Sequence, residues 1–135
     1  MVRKLIFIFT ILIVIFIIVT RCNNNSIKQI KADYFDIGYG QSSYGGYNKV
    51  DKKTVQSLVK AYNQLTDSRQ TNQQINFEKA ITITFIYNDQ ISGILVIDDK
   101  GVFHLSDGTT NYQNEPNNDI YEQALKIYND VKEQY

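Results

Sequence analysis

The sequence contains little of the chemistry on which disulfide frameworks, metal centres and most catalytic sites depend. It has one cysteine, Cys22, one histidine, His104, and one proline. A single cysteine excludes an intramolecular disulfide. With one histidine and no thiol cluster, a zinc site in this chain would need an unusual all-carboxylate ligand set. We find no catalytic, metal or nucleotide-binding motif, and we predict no cofactor, no metal site and no enzymatic activity.

Basic residues are also scarce where a nucleic-acid-binding domain would need them. Arg3, Lys4 and Arg21 flank an N-terminal apolar segment, and the chain beyond Arg21 has 11 basic against 14 acidic residues. Arg69 is the only arginine in that part. Nucleic acid and anionic lipid are bound by clustered Lys and Arg. The composition therefore argues against both as electrostatic partners.

The first 21 residues differ sharply from the rest of the chain. Leu5 to Val19 is apolar apart from Thr10, and 14 of these residues are Leu, Ile, Val or Phe. Their insertion into a bilayer is favourable by about 4–8 kcal/mol. A helix of this length spans about 24 Å, and Lys4 and Arg21 can snorkel to the two interfaces of a ~30 Å core. Residues 1–21 are predicted to be a signal anchor or uncleaved transmembrane helix, with membrane contact through residues 4–21.

Two alternatives for this segment stay open. A cleaved signal peptide needs small residues before the cleavage site, and the sequence Val19-Thr20-Arg21 offers none. A lipoprotein signal would make Cys22 a lipidation site, but Arg21 stands where Gly, Ala or Ser is expected. With the anchor retained, the positive-inside rule keeps Arg3 and Lys4 in the cytoplasm. The predicted localisation is the cell membrane, single-pass, with the C-terminal domain extracytoplasmic.

The rest of the chain reads as a polar tether, 22–29, and one α+β domain, 30–135. A strand over 30–37 and a loop over 38–48 precede a helix that Asp51 caps. The stripe of that helix comprises Val55, Leu58, Val59, Tyr62 and Leu65. Four strands follow an exposed connection over 66–76, at 81–87, 91–97, 102–105 and 109–113. Asn118 caps a final helix whose stripe comprises Tyr121, Ala124, Leu125, Tyr128, Val131 and Tyr135.

This order, β-α-β-β-β-β-α, predicts a two-layer domain in which an antiparallel β-meander packs against two helices. The strand 91–97 is almost continuously apolar, which predicts a central position with both faces covered. Leu95 in that strand and Leu58 in the first helix are predicted to pack across the helix–sheet interface. His104 alternates with Phe103 and Leu105, so it reads as a sheet residue.

The most unusual stretch is the glycine-rich loop that carries Tyr39, Tyr44 and Tyr47. It is not G-x-G-x-x-G and does not lead directly into a helix, so a dinucleotide site is disfavoured. Tyrosines on a flexible loop can stack on sugar rings or on a peptide. We predict that these three residues bind an envelope glycan or a protein partner. The alternative is that they fold back onto the sheet.

Three aspartates in predicted turns, Asp98, Asp99 and Asp107, could suggest calcium. They lack the D-x-D-x-D-G spacing that places oxygens around one ion, and hairpin turns require Asp and Gly in any case. A cell-envelope hydrolase that uses two of these carboxylates remains an alternative function.

The apolar anchor up to Cys22, the helix from Asp51 and the hairpin 91–105 together give the chain a recognisable layout. It resembles the small uncharacterised membrane-anchored or lipoprotein-like extracytoplasmic proteins of low-GC Gram-positive bacteria, a resemblance that implies no catalytic residues. The strand–helix–meander order is similar to cystatin-like folds, although the Q-x-V-x-G loop is missing and a C-terminal helix is added. We expect a non-enzymatic binding or accessory module, or alternatively an inhibitor or immunity-type protein that caps a partner enzyme.

Overall fold

A computed structural model of the protein describes residues 27–106 and 108–135, with the backbone alone at Asp67. The predicted anchor, the candidate lipidation site Cys22 and the turn residue Asp107 lie outside these residues. Within the described ranges, no helix is long and apolar enough to cross a membrane.

The described residues form a mixed α+β structure built on one antiparallel sheet. The strands are β1 (Tyr34–Tyr39), β2 (Ser42–Gly45), β3 (Arg69–Gln70), β4 (Ile81–Tyr87), β5 (Gln90–Ile97), β6 (Val102–Leu105) and β7 (Tyr112–Gln113). Their order in the sheet is β2-β1-β4-β5-β6-β7-β3, and every neighbouring pair is antiparallel. The helices are α1 (Lys52–Asn63) and α2 (Ile120–Lys132), with short 3₁₀ turns at Gln64–Asp67 and Phe77–Lys79. The predicted α+β class, antiparallel sheet and two helices are confirmed.

Two strands were missed because their sequences carry little strand signal. The stretch predicted as a loop contains β2, made of Ser, Ser, Tyr and Gly, which are mostly poor strand formers. It pairs with β1 through a tight turn in which Gly40 has a φ of +57°. The short strand β3 falls inside the predicted connection and pairs with β7, so β3 and not β7 lies at this edge of the sheet.

The N-terminal side of the domain begins earlier than the sequence indicated. Ile27 and Ile30 are only 6% and 8% exposed, whereas β1 itself starts at Tyr34. The side chain of Asn63 binds the backbone of Ile30 twice, accepting from its N–H at 2.8 Å and donating to its carbonyl at 3.1 Å. Ile27, which was predicted to belong to the polar tether, is therefore part of the core, and Ile30 is bound to the end of α1.

Helix α1 forms as the sequence predicts. Asp51 caps it, with Oδ1 accepting a hydrogen bond from the backbone N–H of Thr54 at 3.0 Å. All five residues of the predicted stripe are buried, namely Val55, Leu58, Val59, Tyr62 and Leu65. Leu58 and Leu95 belong to one core cluster between the helices and the sheet, as expected for residues packed across that interface.

Helix α2 is rotated slightly from its predicted orientation. Asn118 does bind the helix start, accepting from the N–H of Ile120 at 3.0 Å, although the cap position is Asp119. Ile120 and Ile127 are buried, whereas Tyr121 and Leu125 are only half-buried and Tyr135 is 71% exposed. The predicted stripe included residues at the margin of the buried face, where Tyr121 and Tyr135 remain partly exposed and bind backbone carbonyls through their hydroxyl groups.

The core lies between the helices and one face of the sheet. The register aligns Ile37, Ile83, Leu95 and Leu105 in one row across four strands, which places these side chains on the helix face. The opposite face, called the outer face below, carries Ile94 and Val96 of β5, both only partly buried. Strand β5 is central, but the prediction that both of its faces are covered was wrong.

Part of the outer face is covered by the segment that follows β3. Ile75 and Ala80 pack there with Val102 in a second, small apolar cluster, and Val96 contacts it. This segment was predicted as an exposed connection. It instead forms one wall of a wide groove on this face.

Candidate functional site

Two of the three tyrosines predicted to bind a ligand take part in packing. Tyr39 and Tyr44 are partly buried against the core, and their rings lie 5.7 and 5.6 Å from that of Tyr128. Tyr44 also lies 5.3 Å from the ring of Tyr135, whose hydroxyl donates to the carbonyl of Gly45 at 2.9 Å. For this pair, the placement matches the alternative in which the tyrosines cover the sheet.

Tyr47 is different, because it is 64% exposed. Its ring meets that of Tyr34 edge to face, with the centroids 5.1 Å apart. Gly46 sets the path of the chain just before it, since a Cβ there would overlap the carbonyl oxygen of Phe35. The structure does not bring the three tyrosines together into one site.

The described residues form a groove of about 640 Å³, which we call the amide groove. It lies on the outer face between β3, the segment after it, β6 and the loop before β7. Its described lining is Gln70, Thr71, Asn72, Gln74, Ile75, Phe77, His104, Gly108, Thr109, Thr110 and Asn111. The sequence did not predict this groove, since its walls come from segments that were predicted separately, as a connection, a turn and two strands.

The amide groove is lined by neutral hydrogen-bonding groups. None of its described lining residues is Asp, Glu, Lys or Arg, and four carry side-chain amides. Asn111 and Thr71 brace the rim: Asn111 Nδ2 donates to the carbonyl of Gln73 at 2.9 Å, and Thr71 Oγ1 accepts from the N–H of Gln73 at 3.2 Å. Amide groups can each donate and accept, so the groove suits an uncharged polar ligand.

One aromatic ring and the only histidine stand at this groove. Phe77 is 64% exposed, and its ring centroid lies 6.2 Å from that of His104. His104 is in β6, opposite Val96 of β5, so its predicted place in the sheet is confirmed. General acid–base chemistry requires a partner within hydrogen-bond reach, and the described lining contains no carboxylate or thiol for His104.

The acidic turn after β5 is a structural element. Asp98 is 1% exposed, and its Oδ1 accepts hydrogen bonds from the N–H groups of Lys100 and Val102 at 3.0 and 2.9 Å. Its Oδ2 accepts from the N–H of Asn76 at 2.9 Å. Asp99 forms an ion pair with Lys79 at 3.3 Å. Among the described residues, no group of three or more His, Cys, Asp or Glu is placed to hold a metal ion.

One group on α2 titrates far from its ordinary range. Burial raises the pKa of Tyr121 to about 12, with smaller contributions from Tyr39 and Asp99. The Tyr121 hydroxyl donates a hydrogen bond to the carbonyl of Lys79 at 3.0 Å. This bond ties α2 to the 3₁₀ turn before β4, whose first residue, Phe77, lines the amide groove.

No protein-family model matches the sequence, and neither a curated protein nor a solved structure does.

Proposed function

We propose that the chain is a non-enzymatic, extracytoplasmic binding or accessory module tethered to the cell membrane, and that it binds an uncharged ligand, such as an envelope glycan, in the amide groove. The tether is the apolar segment 4–21, in which no charge interrupts the run from Leu5 to Val19. The packed domain that follows supplies the binding surface.

The observation that carries the binding proposal is the lining of the groove. Four amide side chains and three threonines surround a space of about 640 Å³, which is large enough for a small ligand. Sugar hydroxyls, like amides, both donate and accept hydrogen bonds, and an exposed ring such as Phe77 offers a flat apolar surface for a pyranose. Charged ligands would find no opposite charge among the described lining residues.

The direct test is binding of soluble glycan strands, released from cell-wall material, to the full chain reconstituted in lipid nanodiscs. A double variant, Phe77→Ala with Gln74→Ala, removes the ring and one amide. We expect it to weaken binding by about tenfold or more, since roughly 1.4 kcal/mol corresponds to a factor of ten. Lys53→Ala, an exposed change on α1, serves as the matched control and is expected to bind as the unaltered protein does. Equal binding by both variants would contradict the proposal.

A second candidate, an inhibitor or immunity-type protein that caps a partner enzyme, rests on Tyr47. This exposed ring borders a smaller cleft of about 330 Å³ together with Tyr34, Asn48 and Gln56. Tyrosine is favoured at protein interfaces because it supplies contact area at low entropic cost. Stoichiometric capture of one protein that Tyr47→Ala abolishes, and that the groove variant leaves intact, would favour this candidate over glycan binding.

The hydrolase alternative draws no support from Asp98. Its carboxylate accepts three backbone hydrogen bonds, and it is 1% exposed. A carboxylate that acts on a substrate has to reach it, and this one is enclosed by its own turn.

A further inference from the structure

An exposed apolar band crosses the sheet at the end where the chain enters the domain. Tyr34, Ile86 and Ile91 are cross-strand neighbours in β1, β4 and β5, so their side chains share one row. Tyr47 extends the row beyond Tyr34, and Tyr87, the next residue after Ile86, points to the other side of the same hairpin end. Ile86 is 8% exposed and Tyr34 is half-buried, so the exposed surface of the band comes from Tyr47 and Ile91, each 64% exposed, and from Tyr87, which is 37% exposed. We call these five residues the apolar band.

The band lies beside the first residues of the described chain. Ser92 Oγ donates a hydrogen bond to the carbonyl of Lys31 at 2.7 Å, and the N–H of Asn88 donates to Asp33 Oδ2 at 2.8 Å. The Lys31 ammonium lies 6.0 Å from the centre of the Tyr87 ring. The β4–β5 hairpin is thus fastened to residues 31–33, which follow the N-terminal segment directly.

The distance from this end of the domain to the proposed anchor is limited by chain length. Ile27 is already packed in the core, and only residues 22–26 separate it from Arg21. Five residues span at most roughly 18 Å when fully extended. If residues 4–21 cross a bilayer, this short connection keeps Ile27 near its surface, and Lys31, which contacts Tyr87 of the band, follows only four residues later.

The chemistry of the band suits an interface between lipid and water. Tyrosine is enriched at the headgroup level of membranes, and an exposed isoleucine gains about 1.5–3 kcal/mol when it is fully buried. Lys28 and Lys31 are balanced nearby by Asp33 and Asp89, all of them exposed. The attraction is therefore apolar, in agreement with the mild net negative charge of the domain.

We propose that the apolar band of Tyr34, Tyr47, Ile86, Tyr87 and Ile91 rests in the headgroup region of the membrane that holds residues 4–21. This inference rests on the tethered arrangement under Proposed function.

Contact between the band and the membrane also determines where the amide groove lies relative to the lipid. Val96, the partner of His104 in the sheet, lies five residues along β5 from Ile91, or roughly 17 Å. The amide groove is then held away from the lipid and open to the cell exterior.

The test places a single tryptophan in the full chain, which has none of its own. The Ile91→Trp variant puts the probe in the band, and Phe77→Trp puts it in the amide groove at a site of the same 64% exposure. Both proteins are reconstituted in vesicles of phosphatidylcholine and phosphatidylglycerol that carry a nitroxide near the headgroup. We expect Ile91→Trp to show a blue-shifted emission that the nitroxide quenches and high salt leaves unchanged. We expect Phe77→Trp to show neither effect.

Flotation of the same vesicles distinguishes a failure of the membrane tether from a failure of the band to touch the lipid. If the protein floats with the lipid but both tryptophans are equally unquenched, the band does not touch the membrane, while the tether stands. If the protein does not float at all, the tether is wrong and the band proposal is overturned with it. A second variant, Tyr87→Trp, guards against a local effect of the Ile91 substitution and is expected to behave as Ile91→Trp does.

Discussion

Asp98 and Asn76 are joined by a hydrogen bond of 2.9 Å from the Asn76 N–H to Asp98 Oδ2. The bond links the turn between β5 and β6 to the segment that covers the outer face. Because Asp98 also holds the N–H groups of Lys100 and Val102, one buried carboxylate organises both the hairpin and one wall of the amide groove.

Replacing this carboxylate should destabilise the domain strongly. The Asp98→Ala change leaves three backbone donors without their partner, and we expect a loss of roughly 2–5 kcal/mol in the free energy of unfolding, measured by urea denaturation. Asp99→Ala is the control, since it removes only an ion pair whose side chains are 58% and 31% exposed. Such a pair contributes about 0–1 kcal/mol. Similar losses in the two variants would show that Asp98 does not have this role.

The two faces of β5 allow a matched test of the core. Leu95 is fully buried and Ile91 is 64% exposed, although both are aliphatic residues of one strand. Leu95→Ala should cost about 2–5 kcal/mol because it removes packed atoms and leaves a cavity. Ile91→Ala should change the stability by about 0.5 kcal/mol or less in the detergent-solubilised chain. If Leu95→Ala destabilised the protein as little as Ile91→Ala does, the Leu95 side chain would not be buried against the helices.

Tyr44 and Tyr47 should differ in how much each contributes to the stability of the domain. Tyr44 packs against Tyr128 and Tyr135, and each aromatic pair contributes about 0.5–1.5 kcal/mol beyond area burial. Tyr44→Ser should lower the melting temperature by several degrees, whereas Tyr47→Ser, which removes a single pair with Tyr34 at an exposed site, should lower it clearly less. Thermal unfolding followed by circular dichroism measures both. Equal shifts would indicate that Tyr47 also packs against the core.

The raised pKa of Tyr121 predicts how stability depends on alkaline pH. Its value is about 12 in the folded protein against the model value of 10.0, so the folded state favours the protonated hydroxyl. The resulting stabilisation is complete below pH 10 and is lost as the pH rises through 12. Denaturant unfolding across this range should show a fall in stability that is shallower in Tyr121→Phe. Tyr62, whose pKa burial also raises, accounts for a remaining slope. Identical slopes in the two proteins would argue against the Tyr121 contribution.

Strong periodic patterns made the main elements predictable from sequence. The stripe from Val55 to Leu65 and the alternation over 81–87 each contain enough apolar side chains to determine which face is buried, whereas the nearly continuous apolar run 91–97 does not. Weak signals produced the errors. Strand β2 is held by its pairing with β1 and by the turn at Gly40, neither of which is visible in the composition of Ser42–Gly45.

The candidate site could not be predicted for a related reason. The amide groove is formed by residues from three separate stretches, such as Gln74, His104 and Asn111, that tertiary structure alone brings together. Tyr39 and Tyr44 attracted attention because they stand in a glycine-rich sequence. The positions that decide their role, Tyr128 and Tyr135, lie at the other end of the chain.

The central claim is that residues 1–21 hold a folded domain on the outer side of the cell membrane. It is tested most directly in bacterial cells that produce the full chain with a C-terminal epitope tag, by fractionation and by protease treatment of intact cells. The account predicts that the tag is found in the membrane fraction and is removed by protease without lysis. Deleting residues 2–21 should release a folded domain into the soluble fraction. A tag that is soluble in the unaltered chain, or that is protected until the cells are lysed, would contradict the account.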